Sequence, residues 1–139
     1  PMDIPRRVAN LIKKYGTRDP FELADHLQIR VLFRQVDKDI QGFFIRRRRR
    51  KFIVINSALP RHVQRQTCAH ELGHARLHKG WGYYFIVNHT YFLPGRFERE
   101  ANDFAWHLLF DEKECRYDFG GDVGNYVREA GLAEMYQVK

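Results

Sequence analysis

The string His70-Glu71-Leu72-Gly73-His74 has residue types and a spacing that carry chemistry. On a helix, positions i and i+4 lie one turn apart on the same face, so both imidazoles can bind a single metal ion. Glu71 falls about 100° around such a helix from His70, where it flanks the ion and takes a proton from water without being a ligand itself. Zn2+ suits this set; it supplies Lewis acidity, polarising a carbonyl and drawing the pKa of water towards neutrality. The string alone does not decide the matter. Seven His and eight Glu in 139 residues produce H-E-x-x-H by chance in roughly one such chain in fifty.

A catalytic ion needs a third protein ligand. His78 continues the four-residue series, but each step drifts about 40° around the helix. The chain also lacks the glycine and spacing of the metzincin pattern. His78 therefore reads as a helix-end residue or a hydrogen-bonding neighbour. Glu98 and Glu100 are the alternatives. Glu98 lies one turn before Asn102, so Glu98 can bind the ion while Asn102 orients a ligand. Glu100 points roughly 200° away on that helix. Spacing leaves both open and prefers Glu98, because Ala101 and Ala105 leave room beside it. Cys68, on roughly the opposite helix face from His70, reads as a small buried residue, and Cys115, His26, His62 and His89 read as ordinary. Gly73 in mid-helix costs about 1 kcal/mol relative to alanine, which suggests close approach of another backbone.

These residues need elements to position them. Ile4, Val8, Leu11, Ile12 and Tyr15 recur at helical spacing, predicting a helix over 4–15 that ends at Gly16. Asp19-Pro20-Phe21-Glu22 supplies an N-cap, a proline at the first helical position and a Glu beyond, predicting a helix to about Leu27. Two short helices invite a helix-turn-helix reading. Residues 29–36 alternate and are rich in β-formers, however, where a third packing helix is required. Residues 42–45 and 52–55 read as two more strands, completing a small antiparallel three-stranded sheet. One long helix is predicted from about Pro60 to Lys79, stopped by Gly80. Residues 80–96 read as a structured loop with room for a short strand at 83–87. A helix follows over 97–110, and a last one from an Asp122 cap to Ala130. The expected fold is α+β, one domain over 1–139, with the sheet packed against the two site-bearing helices.

Lys plus Arg number 24 and Asp plus Glu 17, a formal charge of +7. Six of those cations are consecutive, Arg46-Arg47-Arg48-Arg49-Arg50-Lys51; without them the balance is 18 against 17. The basicity is one local feature between two strands and not a field over the whole surface. It reads first as a solvated hairpin tip, second as a hook for an acidic partner, and third as a phosphate contact. With 44% hydrophobic and 14% aromatic residues, the chain is not disordered. Its apolar runs are far short of a membrane span. Two cysteines make no disulfide framework, and residues 1–7 lack the apolar core of a signal peptide. A cytoplasmic protein is expected.

The two site segments together resemble the ImmA/IrrE metallopeptidases. The resemblance rests on His70-Glu71-Leu72-Gly73-His74 with Leu77-His78, and on Glu98-Arg99-Glu100-Ala101-Asn102-Asp103-Phe104-Ala105 with Leu108-Leu109. Ile53-Val54-Ile55-Asn56 and Leu59-Pro60 suit that family's entry from strand to helix. It covers roughly 4–110 and departs after Leu109, where members often continue Leu-Met-Pro and this chain has Phe110-Asp111-Glu112. The resemblance implies a gluzincin-like site with zinc ligands His70, His74 and Glu98, and Glu71 as general base. It further implies a regulatory protease of phages, mobile elements and bacteria. Such a protease cleaves a repressor with a helix-turn-helix DNA-binding domain, relieves repression, and has low activity on generic peptides. An oxyanion partner is not assigned by any motif; Tyr83, Tyr84, His89, Tyr91 and His107 are candidates, each with packing as the simpler role. Trp81, Tyr83, Tyr84, Phe85, Tyr91 and Phe92 either line a substrate cleft or cover the zinc helix. The alternative from another class is a nucleic-acid-associated regulator with a structural or vestigial zinc site.

Overall fold

The N-terminal helices begin and end where their side chains satisfy the free backbone groups. In a computed structural model, which describes residues 2–78 and 95–138, α1 spans Ile4–Tyr15 and α2 spans Pro20–His26. Asp3 accepts a hydrogen bond from the Arg6 amide, and Gly16, at φ 70°, closes α1 by donating its N–H to the Ile12 carbonyl. Asp19 caps α2 through the Phe21 amide at 2.9 Å. Ile4, Val8 and Leu11 form the buried stripe of α1, and burying a side chain of this size stabilises by about 1.5–3 kcal/mol.

Three strands follow: β1 (Ile29–Arg34), β2 (Gly42–Arg47) and β3 (Arg50–Asn56). The order is β1-β3-β2. β2 and β3 are antiparallel, but β1 runs parallel to β3, with Ile29 opposite Lys51 and Phe33 opposite Ile55. The sheet is therefore mixed, where the sequence predicts an antiparallel one. β3 is the most buried strand and takes the centre, paired along both edges. The chain reverses between β1 and β2 and again at Arg48-Arg49, so β3 returns in the direction of β1. The buried Asn56 pins the reversal: its Nδ2 donates to the carbonyls of Ile40 at 3.0 Å and Asp37 at 3.4 Å, and its Oδ1 accepts from Ala58. The basic run is not a free loop. Arg46 and Arg47 end β2, Arg50 and Lys51 begin β3, and only Arg48 and Arg49 form the turn.

The long helix α3 (Arg61–Leu77) packs against the sheet and, more extensively, against α4 (Gly95–Leu109). Gly73 meets Ala101 and Phe104 of α4; a Cβ there would lie 3.0 Å from the Ala101 Cα. The glycine marks the close approach that its position suggests. Gly42 serves the same purpose at the sheet, where a Cβ would collide with Thr67 of α3. Arg18 ties the N-terminal segment to α4. Its Nη1 donates to the carbonyls of His107, Leu108 and Phe110 at 3.0–3.2 Å, placing a cation on the end of α4 where the carbonyls lack helical partners.

The chain finishes with α5 (Glu112–Asp118), α6 (Val123–Glu129) and α7 (Ala133–Val138). Asp111 caps α5 and Asp122 caps α6. Only α6 is predicted from the sequence. The Tyr126 hydroxyl accepts from the Asp111 amide at 3.1 Å, and His62 and Gln66 of α3 both reach Glu134 of α7. One contiguous apolar cluster runs from Ile4 to Leu132 through the sheet, α3 and α4. Cys68 and Cys115 are buried free thiols within it. No helix among the described residues is long and apolar enough to cross a membrane. The expectations for Lys79, Gly80, Trp81, Tyr83, Tyr84, Phe85, His89, Tyr91 and Phe92 lie outside the described residues.

Candidate metal centre

α3 presents His70 and His74 one turn apart, and the close α3–α4 contact at Gly73 brings Glu98 of α4 against both. Glu98 Oε1 lies 2.7 Å from His74 Nε2, and Oε2 lies 3.4 Å from His70 Nε2. His70, His74 and Glu98 each offer a ligand atom within 4.8 Å of the others. Among the described residues these three side chains form the group suited to hold an ion. Two imidazole nitrogens and a carboxylate oxygen fit the donor preferences of Zn2+, and three protein ligands leave a position for reacting groups.

The remaining ring nitrogens are committed. His70 Nδ1 is 2.8 Å from Asn102 Oδ1, so the ring donates there and turns Nε2 towards Glu98. Asn102, one turn beyond Glu98 on α4, is thus in contact with the His70 ring. His74 Nδ1 is 3.0 Å from His78 Nδ1, and His78 Nε2 is 2.8 Å from Glu100 Oε1. Glu98, not Glu100, stands with the two histidines, and Glu100 touches His78. His78 itself leaves the helix as its C-cap, at φ −124° and ψ 49°. The sequence reading of His78 as a helix-end, hydrogen-bonding neighbour anticipates this in part. It does not anticipate the link to Glu100, although the i, i+4, i+8 series of histidines was the available signal.

Electrostatics follow from burial and from the single carboxylate between two imidazoles. Burial raises Glu98, but hydrogen bonds from His70 and His74 overcome it, and Glu98 ionises well below the usual carboxylate range. Burial lowers His70, yet the Glu98 hydrogen bond and the charges of Glu71 and Glu98 prevail, and the net shift is upward. Burial holds His74 down to about 4 against the pull of Glu98. Burial, reinforced by the charge of Glu98 and opposed by His70, pushes Glu71 up to about 8.

Glu71 is 2% exposed and, with His70, Glu98 and Asn102, lines a cleft of about 830 Å³. Ile40, Gln41 and Gly42, leading into β2, also line it. A cleft of about 910 Å³ lies between α2, β1 and the basic tip. It includes none of the three clustered donors, so size does not identify the reactive site here. His107, the described member of the oxyanion candidates, does not line the metal cleft and stands 3.7 Å from Asp103.

Known proteins resemble this chain over most of its length. Residues 24–139 match a peptidase family described as IrrE N-terminal-like domain. Immunity region protein 2 of Bacillus phage phi105 is 41% identical over 109 residues, which cover 78% of this chain and 69% of that protein. Metallopeptidase ImmA of Bacillus subtilis strain 168 is 30% identical over 119 residues, or 79% of this chain and 64% of that protein. The chain thus spans about two thirds of the length of these relatives.

Proposed function

The chain belongs to the ImmA/IrrE family of metallopeptidases, and from that premise we propose that it is a zinc-dependent endopeptidase of gluzincin type. Its proposed substrate is a specific protein, a transcriptional repressor with a helix-turn-helix DNA-binding domain, whose cleavage relieves repression. The observation that carries the reading is the convergence of His70, His74 and Glu98 on the wall of a cleft that Glu71 also lines. The names of the relatives, one an immunity region protein and one a metallopeptidase, support a regulatory protease. The count of three donors among the described residues favours a catalytic over a closed structural site.

His70 Nε2, His74 Nε2 and Glu98 would hold the ion, with Asn102 fixing the His70 ring. When bound, zinc supplies Lewis acidity, polarising the scissile carbonyl and acidifying water. Glu71 accepts the proton of the attacking water at its carboxylate and returns it to the leaving amine nitrogen. A carboxyl raised towards the working pH suits both halves of that transfer. β2 is an edge strand of the sheet, and its first residue, Gly42, lines the cleft together with Ile40 and Gln41 just before it. An extended peptide added along that edge would run past Gly42 and into the site.

The test begins with the neighbouring genes: a helix-turn-helix repressor encoded there is incubated with the protein, and the products are read by mass spectrometry. One defined cut, blocked by a chelator, is expected. Glu71→Gln should retain the metal and leave the repressor intact. Cleavage or biological activity unchanged in Glu71→Gln would remove catalysis as the function.

A further inference from the structure

We propose that the cleft between α2, the outer edge of β1 and the basic tip is a docking site for an extended acidic peptide segment of a partner protein, which adds to β1 as a fourth strand. This cleft, of about 910 Å³, includes none of the metal-cluster donors, so docking there is independent of catalysis at the cluster. Arg30, Arg49, Arg50, Lys51 and Arg61 line it, against two carboxylates, Asp19 and Asp25. Asp19 is already engaged as the cap of α2. Among the described residues none of the five cations is in an ion pair. Unpaired cations gathered around one recess are complementary to a negatively charged partner.

β1 supplies the backbone. It is an edge strand of the sheet, and successive residues of a strand turn their N–H and C=O to opposite edges. The Arg34 carbonyl faces the β3 side, where it accepts from the Ser57 amide at 2.9 Å. Ile29, Val31 and Phe33, all lining the cleft, therefore present their backbone groups to the open side. The Phe33 carbonyl is held by the Arg34 guanidinium at 2.9 Å. The N–H and C=O of Val31, in mid-strand, have no partner on that edge among the described residues. An added strand lies about 4.8 Å from its neighbour and would pair with both groups, which is how a sheet edge takes an extended peptide.

The two ends of β1 set the preference for side chains. Ile29 is opposite Lys51, at the basic tip. Phe33 is 43% exposed and meets Phe21 of α2 with ring centroids 6.0 Å apart. At about 3.3 Å per residue these ends are about 13 Å apart. The occupant thus carries a run of Asp or Glu and, about four residues away, an apolar side chain that covers the two phenylalanines. A recess on the order of 10 Å across admits one such chain but not a DNA duplex, whose major groove alone is about 12 Å wide.

Fluorescence anisotropy tests this with a labelled peptide that has a run of glutamates about four residues from a phenylalanine, made in both chain directions. Saturable binding that weakens with salt is expected. Arg49→Gln combined with Arg50→Gln should weaken it about 5- to 30-fold, as for two screened charge contacts. Phe33→Ala should weaken it by a smaller factor that persists at high salt. Val31→Pro, which removes the outward N–H and spares the ladder to β3, should abolish binding; if that variant does not fold, slowed amide exchange at Val31 in the wild-type complex decides the same point. Absence of binding at millimolar protein, unchanged affinity in the arginine and Phe33 variants, or exchange protection at Gly42 of β2 in place of Val31 would overturn the assignment. Tighter binding of a single-stranded oligonucleotide of equal charge would overturn it in favour of nucleic acid.

Discussion

The α3–α4 contact and the tip of the β2–β3 hairpin are the two places where this chain concentrates ionisable groups, and they are built in opposite ways. At the contact, Glu71, His74 and His78 are almost fully buried, and Glu98, Glu100 and Asn102 each hold a histidine ring. At the tip, Arg46, Arg47, Arg48, Arg49 and Arg50 are all exposed. The tip dominates the net charge; the three carboxylates Glu71, Glu98 and Glu100 of the contact are submerged in the total. Charge in water is strongly screened and costs little to place. Charge taken out of water must be paired, and only a specific fold can pair it. A metal cluster of mutually compensating groups therefore signals chemistry that a sum of charges conceals.

The contrast breaks most readily at the helix contact. Gly73→Ala improves helix propensity by about 1 kcal/mol, yet its Cβ would meet the α4 backbone at 3.0–3.1 Å. A net loss of about 1–2 kcal/mol is expected from overpacking, with weaker metal binding because α4 carries Glu98 and Asn102. Urea denaturation and chelator competition check both, and a stabilised variant with intact affinity would show that α4 yields freely.

A pH experiment probes the burial of the contact directly. In metal-free protein Glu71 is raised from 4.5 to about 8, so between those values the folded state holds a proton that the unfolded chain lacks. Stability then falls as pH rises. His70, also shifted upward, acts in the same sense. His74 and His78, shifted downward from 6.5, act oppositely but only below that pH. From pH 6.5 to 8 Glu71 should therefore cost about 1.5 kcal/mol of stability. Urea midpoints in the presence of a chelator should fall over that range, and fall less in Glu71→Gln. A flat wild-type profile would place Glu71 in a wetter environment than its burial implies.

The smallest effect belongs to the tip. Replacing residues 47–50 by neutral polar residues should change stability by no more than about 0.5 kcal/mol and leave metal affinity unaltered. If repressor cleavage slows while metal affinity holds, the tip is an electrostatic hook for the partner. If neither changes, it is a solvated turn.

The elements that position the site were legible wherever the signal was local. Gly16 ends α1, Asp19-Pro20 opens α2, and His70, Glu71 and His74 fall on the helix that their spacing demands. Gly73 announced the neighbouring helix, and room beside Ala101 favoured Glu98. What escaped was set by contacts distant in sequence. The parallel pairing of β1 depends on β3 taking the centre of the sheet, which no single strand encodes. α5 and α7, of 7 and 6 residues, are too short to display a helical period. Glu100 seemed to point away from the site and does, but His78 leaves the end of α3 and meets it there.

A crystal structure of the zinc-loaded protein, with anomalous diffraction at the zinc edge, tests the central claim most directly. One strong peak is expected between α3 and α4, with His70 Nε2 and His74 Nε2 at about 2.0–2.1 Å and a Glu98 oxygen at about 2.0–2.2 Å, and with His78 and Glu100 off the metal. Zinc bound by Glu100 or His78, or absent from this contact, would contradict it.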